Sequence, residues 1–167
     1  MTKNFDELSA VQVYEMYRLR SKVFVVEQHC AYLDPDEKDP RAKHVFLFDG
    51  ETLAAYARIL EPGISYKEPS IGRVVVDEKY RRSGTGRELM KVCINKTREL
   101  FKNQDIVISA QSYLIRFYTD LGFKAIINNR FLGLLYKNEI FEPLRVGDRK
   151  KGFIKVIRED DKVDLSL

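Results

Sequence analysis

The chain contains no tryptophan, only two cysteines and two histidines, and no apolar run approaching the ~20 residues that cross a bilayer. Each shortage removes a class of protein. Cys30 and Cys93 are too few for a disulfide framework or a cysteine-based zinc site, and they fit a reducing compartment. His29 adjoins Cys30, but no second ligand pair follows at a usable spacing, so a metal site is disfavoured. Met1 to Glu7 lacks the apolar core of a signal peptide, and a cytoplasmic protein with no membrane partner is expected. Charge of a single sign is scarce as well. The 29 basic residues stand against 25 acidic ones, a net +4 with pI ≈ 9.0, which suits an anionic ligand without selecting one.

What is present is the composition of an ordinary globular protein, 44% hydrophobic and 32% charged over 167 residues, enough for one domain spanning 1–167. No repeat, low-complexity tract or linker divides it. Ser9 with Gln12 forms a capping-box signature, and Val13, Met16, Tyr17, Arg20 and Phe24 recur at helical spacing, so the first helix is predicted over 9–23. The polar "EQHCAYLDPDEKDPRAK" reads as loop. "HVFLF" and "TLAAYARIL" flank Asp49-Gly50, a hairpin signal, and "SIGRVVV" is a third strand whose valine run lacks polar alternation, as when both faces are covered. A helix over 87–101 sets Leu89, Met90, Cys93, Thr97 and Leu100 or Phe101 on one face, which makes Cys93 a small core residue. "DIVISA" then reads as a buried strand, "YLIRFYTDLG" as a helix stopped by Gly122, and "FLGLLY" and "GFIKVIRE" as late strands.

The functional signal lies in "VVVDEKYRRSGTGRELM", residues 74–90. A buried strand turning through glycines into a helix aims backbone N–H groups and the positive helix end at one point, which favours an anion. Gly84 and Gly86 permit close approach of a phosphate, and Arg81, Arg82 and Arg87 add charge at the rim. A pyrophosphate is the natural guest. A Walker loop is excluded because Arg87-Glu88 follows Gly86, and the dinucleotide fingerprint fails because Leu89 occupies the third glycine's place. The plain alternative is a strand-to-helix turn with solvated arginines.

Arg81-x-x-Gly84-x-Gly86 after a valine-rich strand, with "FYTDLGF" further on, closely resembles the acetyl-CoA-binding core of the GNAT N-acetyltransferases. "LRSKVFVVEQHCAYLDPDEKD" and "AYARIL" extend the resemblance to the ElaA-type branch, from about Leu8 to Phe123. The resemblance implies an α/β fold: a mixed, largely antiparallel sheet with helices on both faces, its two central strands splayed where CoA enters. It further implies an N-acetyltransferase that moves an acetyl group from acetyl-CoA, as co-substrate, to the amine of a small molecule or peptide by direct attack. Main-chain groups of Val74, Val75 and Val76 would bind the pantetheine and thioester carbonyl. Those of Arg81, Arg82, Ser83, Gly84, Thr85, Gly86 and Arg87 would bind the pyrophosphate. Three features depart from the ElaA pattern: Arg81-Arg82 replaces Arg-Gly, the N-terminal strand is cut to Thr2–Phe5, and the segment after Phe123 lacks the Asp-Gly-Ile-Pro-His type ending.

Direct attack needs a deprotonated amine, a polarised carbonyl and a proton for the leaving thiolate. Tyr118 matches the family's tyrosine that protonates the CoA sulfur, with a core aromatic as the plain alternative. Candidate bases are Glu27, between an apolar run and the acidic loop, and His44, which opens a strand; a carboxylate bonded to backbone or Arg20, a structural histidine, or a bound water in place of both are the alternatives. Asp34, Asp36, Glu37 and Asp39 form an acidic run where the family gathers its acceptor, and clustered carboxylates attract a cationic amine; a solvated loop is the other reading. Cys30 on that loop has no basic partner to make it a nucleophile. An acyl-homoserine-lactone-synthase-like acyltransferase is disfavoured by the missing tryptophan. A non-catalytic CoA-binding module, or a nucleic-acid-binding one using the basic segment Arg145 to Lys151, ranks behind the enzyme because that segment is short and lacks interleaved aromatics. A homodimer is left open.

Overall fold

A computed structural model describes residues 1–102, 104–126 and 153–158, which form two compact units, Met1–Ile106 and Val107–Leu167. The first unit carries four antiparallel strands in the order β1 (Thr2–Asn4), β2 (Lys43–Asp49), β3 (Thr52–Leu60) and β4 (Ser70–Val76). Helices α1 (Ala10–Arg20) and α2 (Thr85–Leu100) pack against them.

The capping box forms as its spacing requires: Ser9 Oγ accepts from the Gln12 N–H at 3.2 Å and Gln12 Oε1 accepts from the Ser9 N–H at 3.1 Å. The helix does not stop near residue 23. From Ser21 to Glu27 the chain continues in wider π-helical turns, a rare geometry that is frequent at functional sites. The hairpin predicted at Asp49-Gly50 is present, with Gly50 at φ 56. Met16, Leu19 and Val23 from the first helical stretch pack with Phe46, Leu53, Tyr56 and Val75 in one buried cluster. Truncating any of its large members to alanine costs about 2–5 kcal/mol.

The valine run of β4 departs from expectation. Only Val75 is buried, while Val74 and Val76 are half-buried. The cause is a bulge: Tyr56 pairs with Val75 and Arg58 with Gly72, so Arg73 and Val74 together face Ala57. Arg73 takes φ 52 to accommodate the extra residue. On α2 the buried face is Leu89, Met90, Cys93, Ile94 and Thr97, so Ile94 joins the expected stripe and Leu100 leaves it. Burial pushes the Cys93 thiol up to about 12, which leaves it an inert core residue.

In the second unit β5 (Ile106–Gln111) leads through a 3-10 turn at Ser112–Leu114 into α3 (Ile115–Thr119). That helix is shorter than the span 113–122 read from sequence. It ends at Thr119, and Gly122, at φ 83, closes the turn after it with its N–H bonded to the Thr119 carbonyl. Strands β6 (Lys124–Ile126) and β7 (Phe153–Arg158) pair antiparallel, and β7 realises the "GFIKVIRE" strand. "FLGLLY" and the basic segment Arg145 to Lys151 lie outside the described residues. Among the described residues no helix is long and apolar enough to cross a membrane.

Candidate active site

At the end of β4 the Asp77 N–H bonds to the Ala54 carbonyl, and its carboxylate pairs with Lys22 Nζ at 2.9 Å. A 3-10 turn at Glu78–Tyr80 follows, and then the loop itself. Two residues in it have positive φ: Arg82 at 65 and Gly84 at 93. Gly84 is the N-cap of α2 and accepts from the N–H groups of Arg87 and Glu88 through its carbonyl. Having no side chain, it leaves the sixteen-residue helix without a side-chain cap, so the helix end keeps its attraction for an anion. Ser83 Oγ braces the turn by bonding to the Tyr80 carbonyl at 2.7 Å and to Thr85 Oγ1 at 2.8 Å. Arg81, Arg82 and Arg87 are exposed around it. The left-handed conformation of Arg82 explains the departure at this position: it is where a glycine would sit without strain.

Glu27, at the end of the π-helical stretch, is joined to this loop. Its Oε2 accepts from Arg81 Nη2 at 2.6 Å, while Arg81 Nε donates to the Val76 carbonyl at 3.1 Å. The partner is therefore Arg81, and the alternative pairing with Arg20 does not occur. Oε1 of Glu27 is buried and has no hydrogen-bond partner among the described residues.

His44 was a candidate base, and the structure gives it a different position. It is fully buried between Phe5, Phe46 and Tyr56, with Nε2 2.9 Å from the Asp39 carbonyl and Nδ1 2.7 Å from Tyr56 Oη. A carbonyl only accepts, so Nε2 carries the proton and Nδ1 accepts from the tyrosine. No lone pair remains to take a proton from a substrate. Burial holds its pKa below the ordinary value, which keeps the ring neutral.

The acidic run likewise is not a free cluster of carboxylates. Asp34 and Asp39 are buried, and the half-buried Asp36 is tied to arginine; of the four, only Glu37 is exposed. Arg20, itself fully buried, donates from Nε to Asp34 at 2.7 Å and from Nη1 to Asp39 at 2.8 Å. Arg58 holds Asp36 through Nη1 at 2.5 Å and Nη2 at 2.7 Å, and Asp39 through Nη1 at 2.6 Å. Arg73 completes the set, with Nη2 3.2 Å from Asp36. Three arginines thus neutralise three aspartates inside the protein, and these carboxylates have no net field left to gather a cation. A sequence signal for this existed: Arg20 on an apolar helix stripe and Arg58 inside an apolar strand are positions where arginine stays only when paired.

In the second unit Tyr118 is buried on α3, edge-on to Phe117 at 5.0 Å and to Phe123 at 6.0 Å between ring centroids. Its carbonyl accepts from the N–H groups of Leu121 and Phe123, which fixes the turn around Gly122.

Comparison with known proteins agrees with this architecture. The acetyltransferase (GNAT) domain matches residues 6–133. A UPF0039 protein from Synechocystis is 42% identical over 122 residues, 72% of this chain and 79% of its own length. Protein ElaA of Escherichia coli is 36% identical over 120 residues, 71% of this chain and 78% of the relative. The crystal structure of E. coli ElaA superposes with a TM-score of 0.79 and 29% identity, covering 95% of this chain and 97% of that chain. An acyl-CoA N-acyltransferase from Pseudomonas aeruginosa does so with a TM-score of 0.76 and 27% identity over the same shares, 95% and 97%. The fold is the GNAT one, a mixed, largely antiparallel sheet with helices on both faces. The chain therefore belongs to the GNAT acetyltransferase family, in its ElaA-type branch, and is an acyltransferase of the class that draws on acyl-CoA.

Proposed function

We propose that this chain transfers an acetyl group from acetyl-CoA to the amine of a small molecule or peptide. The observation that carries the reading is Gly84 at φ 93, opening an uncapped α2 one 3-10 turn and a short loop after the bulged strand β4, with arginines on the rim. In it, the main chain of Arg81 to Arg87 takes the CoA pyrophosphate, and that of Val74 to Val76 takes the pantetheine and polarises the thioester carbonyl. The co-substrate supplies the activated acyl group. The amine nitrogen adds to the carbonyl carbon, the C–S bond breaks as the tetrahedral oxyanion collapses, and the thiolate takes its proton from Tyr118.

Glu27 is the carboxylate we assign to receiving the amine proton, directly or through a water. Its support is the unpartnered Oε1 beside a charge pair, placed where the π-helical stretch meets the loop. His44 is not assigned this role, because both ring nitrogens are already engaged. The acceptor is an amine selected by something other than the acidic run, whose aspartates are internally paired. The test is thiol release from acetyl-CoA across a panel of amines, from peptides to small metabolite-like amines. Acceptor-dependent release that falls at least ~10-fold in Glu27→Gln supports the assignment; release that no amine increases removes the acetyltransferase reading.

A further inference from the structure

We propose that Arg73 is a positioning residue for the acyl group: clasped by Tyr32, Asp34 and Asp36, it holds the β4 bulge in the form that aims the main chain of Val74 to Val76. The proposal rests on the CoA reading above and adds to it the side chain that sets the geometry.

The bulge puts Arg73 at φ 52, a conformation that residues with a Cβ seldom adopt, although Gly72 beside it has no positive φ. A strained conformation borne by the arginine while its glycine neighbour is unstrained has to be held by contacts. Those contacts come from the segment after α1. Nη2 of Arg73 donates to the Asp34 carbonyl at 3.1 Å and to Asp36 Oδ2 at 3.2 Å; Nε lies 2.9 Å from Asp34 Oδ1 as an ion pair without hydrogen-bond geometry; and the guanidinium carbon sits 6.0 Å from the centre of the Tyr32 ring. Tyr32 in turn donates its hydroxyl proton to Asp34 at 2.9 Å.

The clasp has rigid backing. Asp34 is fixed from its other side by Arg20 and Asp36 by Arg58, arginines with 0% and 4% exposure. A surface ion pair would leave the bulge free to relax, whereas here the carboxylates are already immobilised before Arg73 meets them. The segment from Tyr32 to Asp36, which reads in sequence as an acceptor attractor, acts instead as a bracket on β4. Cutting the guanidinium should disturb the amides next to Arg73 and leave the pyrophosphate turn at Gly84 as it is.

Three variants separate positioning from simple stability. Arg73→Ala loses the clasp and keeps the strain, Arg73→Gly loses the clasp and the strain together, and Arg73→Lys keeps part of the charge contact. The expected results are a kcat at least ten-fold lower in both Arg73→Ala and Arg73→Gly, although the glycine variant melts no lower than the alanine variant, with partial recovery in Arg73→Lys. Affinity for CoA lacking the acetyl group should fall by a smaller factor than kcat, because the pyrophosphate turn at Arg81 to Arg87 keeps its contacts while only the pantetheine contacts loosen. Amide hydrogen exchange in the ligand-free protein should quicken at least ten-fold at Val74 to Val76 and stay unchanged at Arg81 to Arg87. Wild-type kcat and wild-type exchange at Val74 to Val76 in Arg73→Ala overturn the proposal alone; a wild-type protein that binds no acetyl-CoA overturns it together with the functional reading.

Discussion

Arg82 sits at φ 65, where a side chain brings strain. Replacing it with glycine removes the clash between Cβ and backbone but adds freedom to the unfolded chain, so the net gain is up to ~1 kcal/mol. A melting temperature raised by a few degrees in Arg82→Gly checks this, and a lowered one contradicts it. Tyr118→Phe removes a single hydroxyl. If that hydroxyl protonates the thiolate, turnover falls by about 10²-fold while CoA affinity is nearly unchanged, and an unaltered rate takes Tyr118 out of the mechanism. The turns that hold these candidates were legible in sequence because their signal is local: Gly84 and Gly86 in one turn, Tyr118 four residues before Gly122. His44 was not, since its role depends on Tyr56 and on the Asp39 carbonyl, which only the fold brings to its two nitrogens.

The loop between α1 and β2 is held by charge pairs buried inside the first unit. Arg20→Met takes one guanidinium partner from each of the buried Asp34 and Asp39, leaving them to Arg73 and Arg58, and the expected loss is about 3 kcal/mol, read from the urea midpoint. Acid acts on the same element. Burial works to raise the Asp36 pKa, but hydrogen bonding and charge from Arg58 and Arg73 outweigh it and bring the group from 3.8 to about 2. A folded pKa below the unfolded one means that the unfolded chain binds the proton first. The stabilisation, about 2 kcal/mol, is therefore complete above pH ~4 and is lost as pH falls through about 2. His44 has its pKa lowered from 6.5 by burial, so by the same sign stability begins to decline below about pH 6.5. A urea midpoint that stays flat from pH 7 to pH 3 contradicts both. Helix α1, the hairpin and β4 were readable from periodicity and Asp49-Gly50. The Arg–Asp network was not, because its partners lie 14 to 39 residues apart and an acidic run looks the same in sequence whether it is solvated or buried.

At the scale of the molecule, family membership rests on two-thirds or more of the chain, and the proposed CoA site lies on the strand-loop-helix passage from Ser70 to Leu100. That passage was legible in sequence as strand, glycine turn and helix, although the helix starts at Thr85, two residues before the Arg87 read from sequence. Its bulge was not, because nothing in "SIGRVVV" says that Arg73 rather than Gly72 takes the positive φ. The most direct test of the central claim, that the turn at Gly84 holds the CoA pyrophosphate, is calorimetric titration of wild type and Gly84→Val with acetyl-CoA, using ATP and NAD as comparators. At φ 93 a β-branched residue cannot keep the turn. The expected result is selective binding of acetyl-CoA by the wild type and a loss of at least ~30-fold, roughly 2 kcal/mol, in a variant that still melts cooperatively. Equal binding by the two proteins, or no selectivity for acetyl-CoA over ATP and NAD, contradicts it.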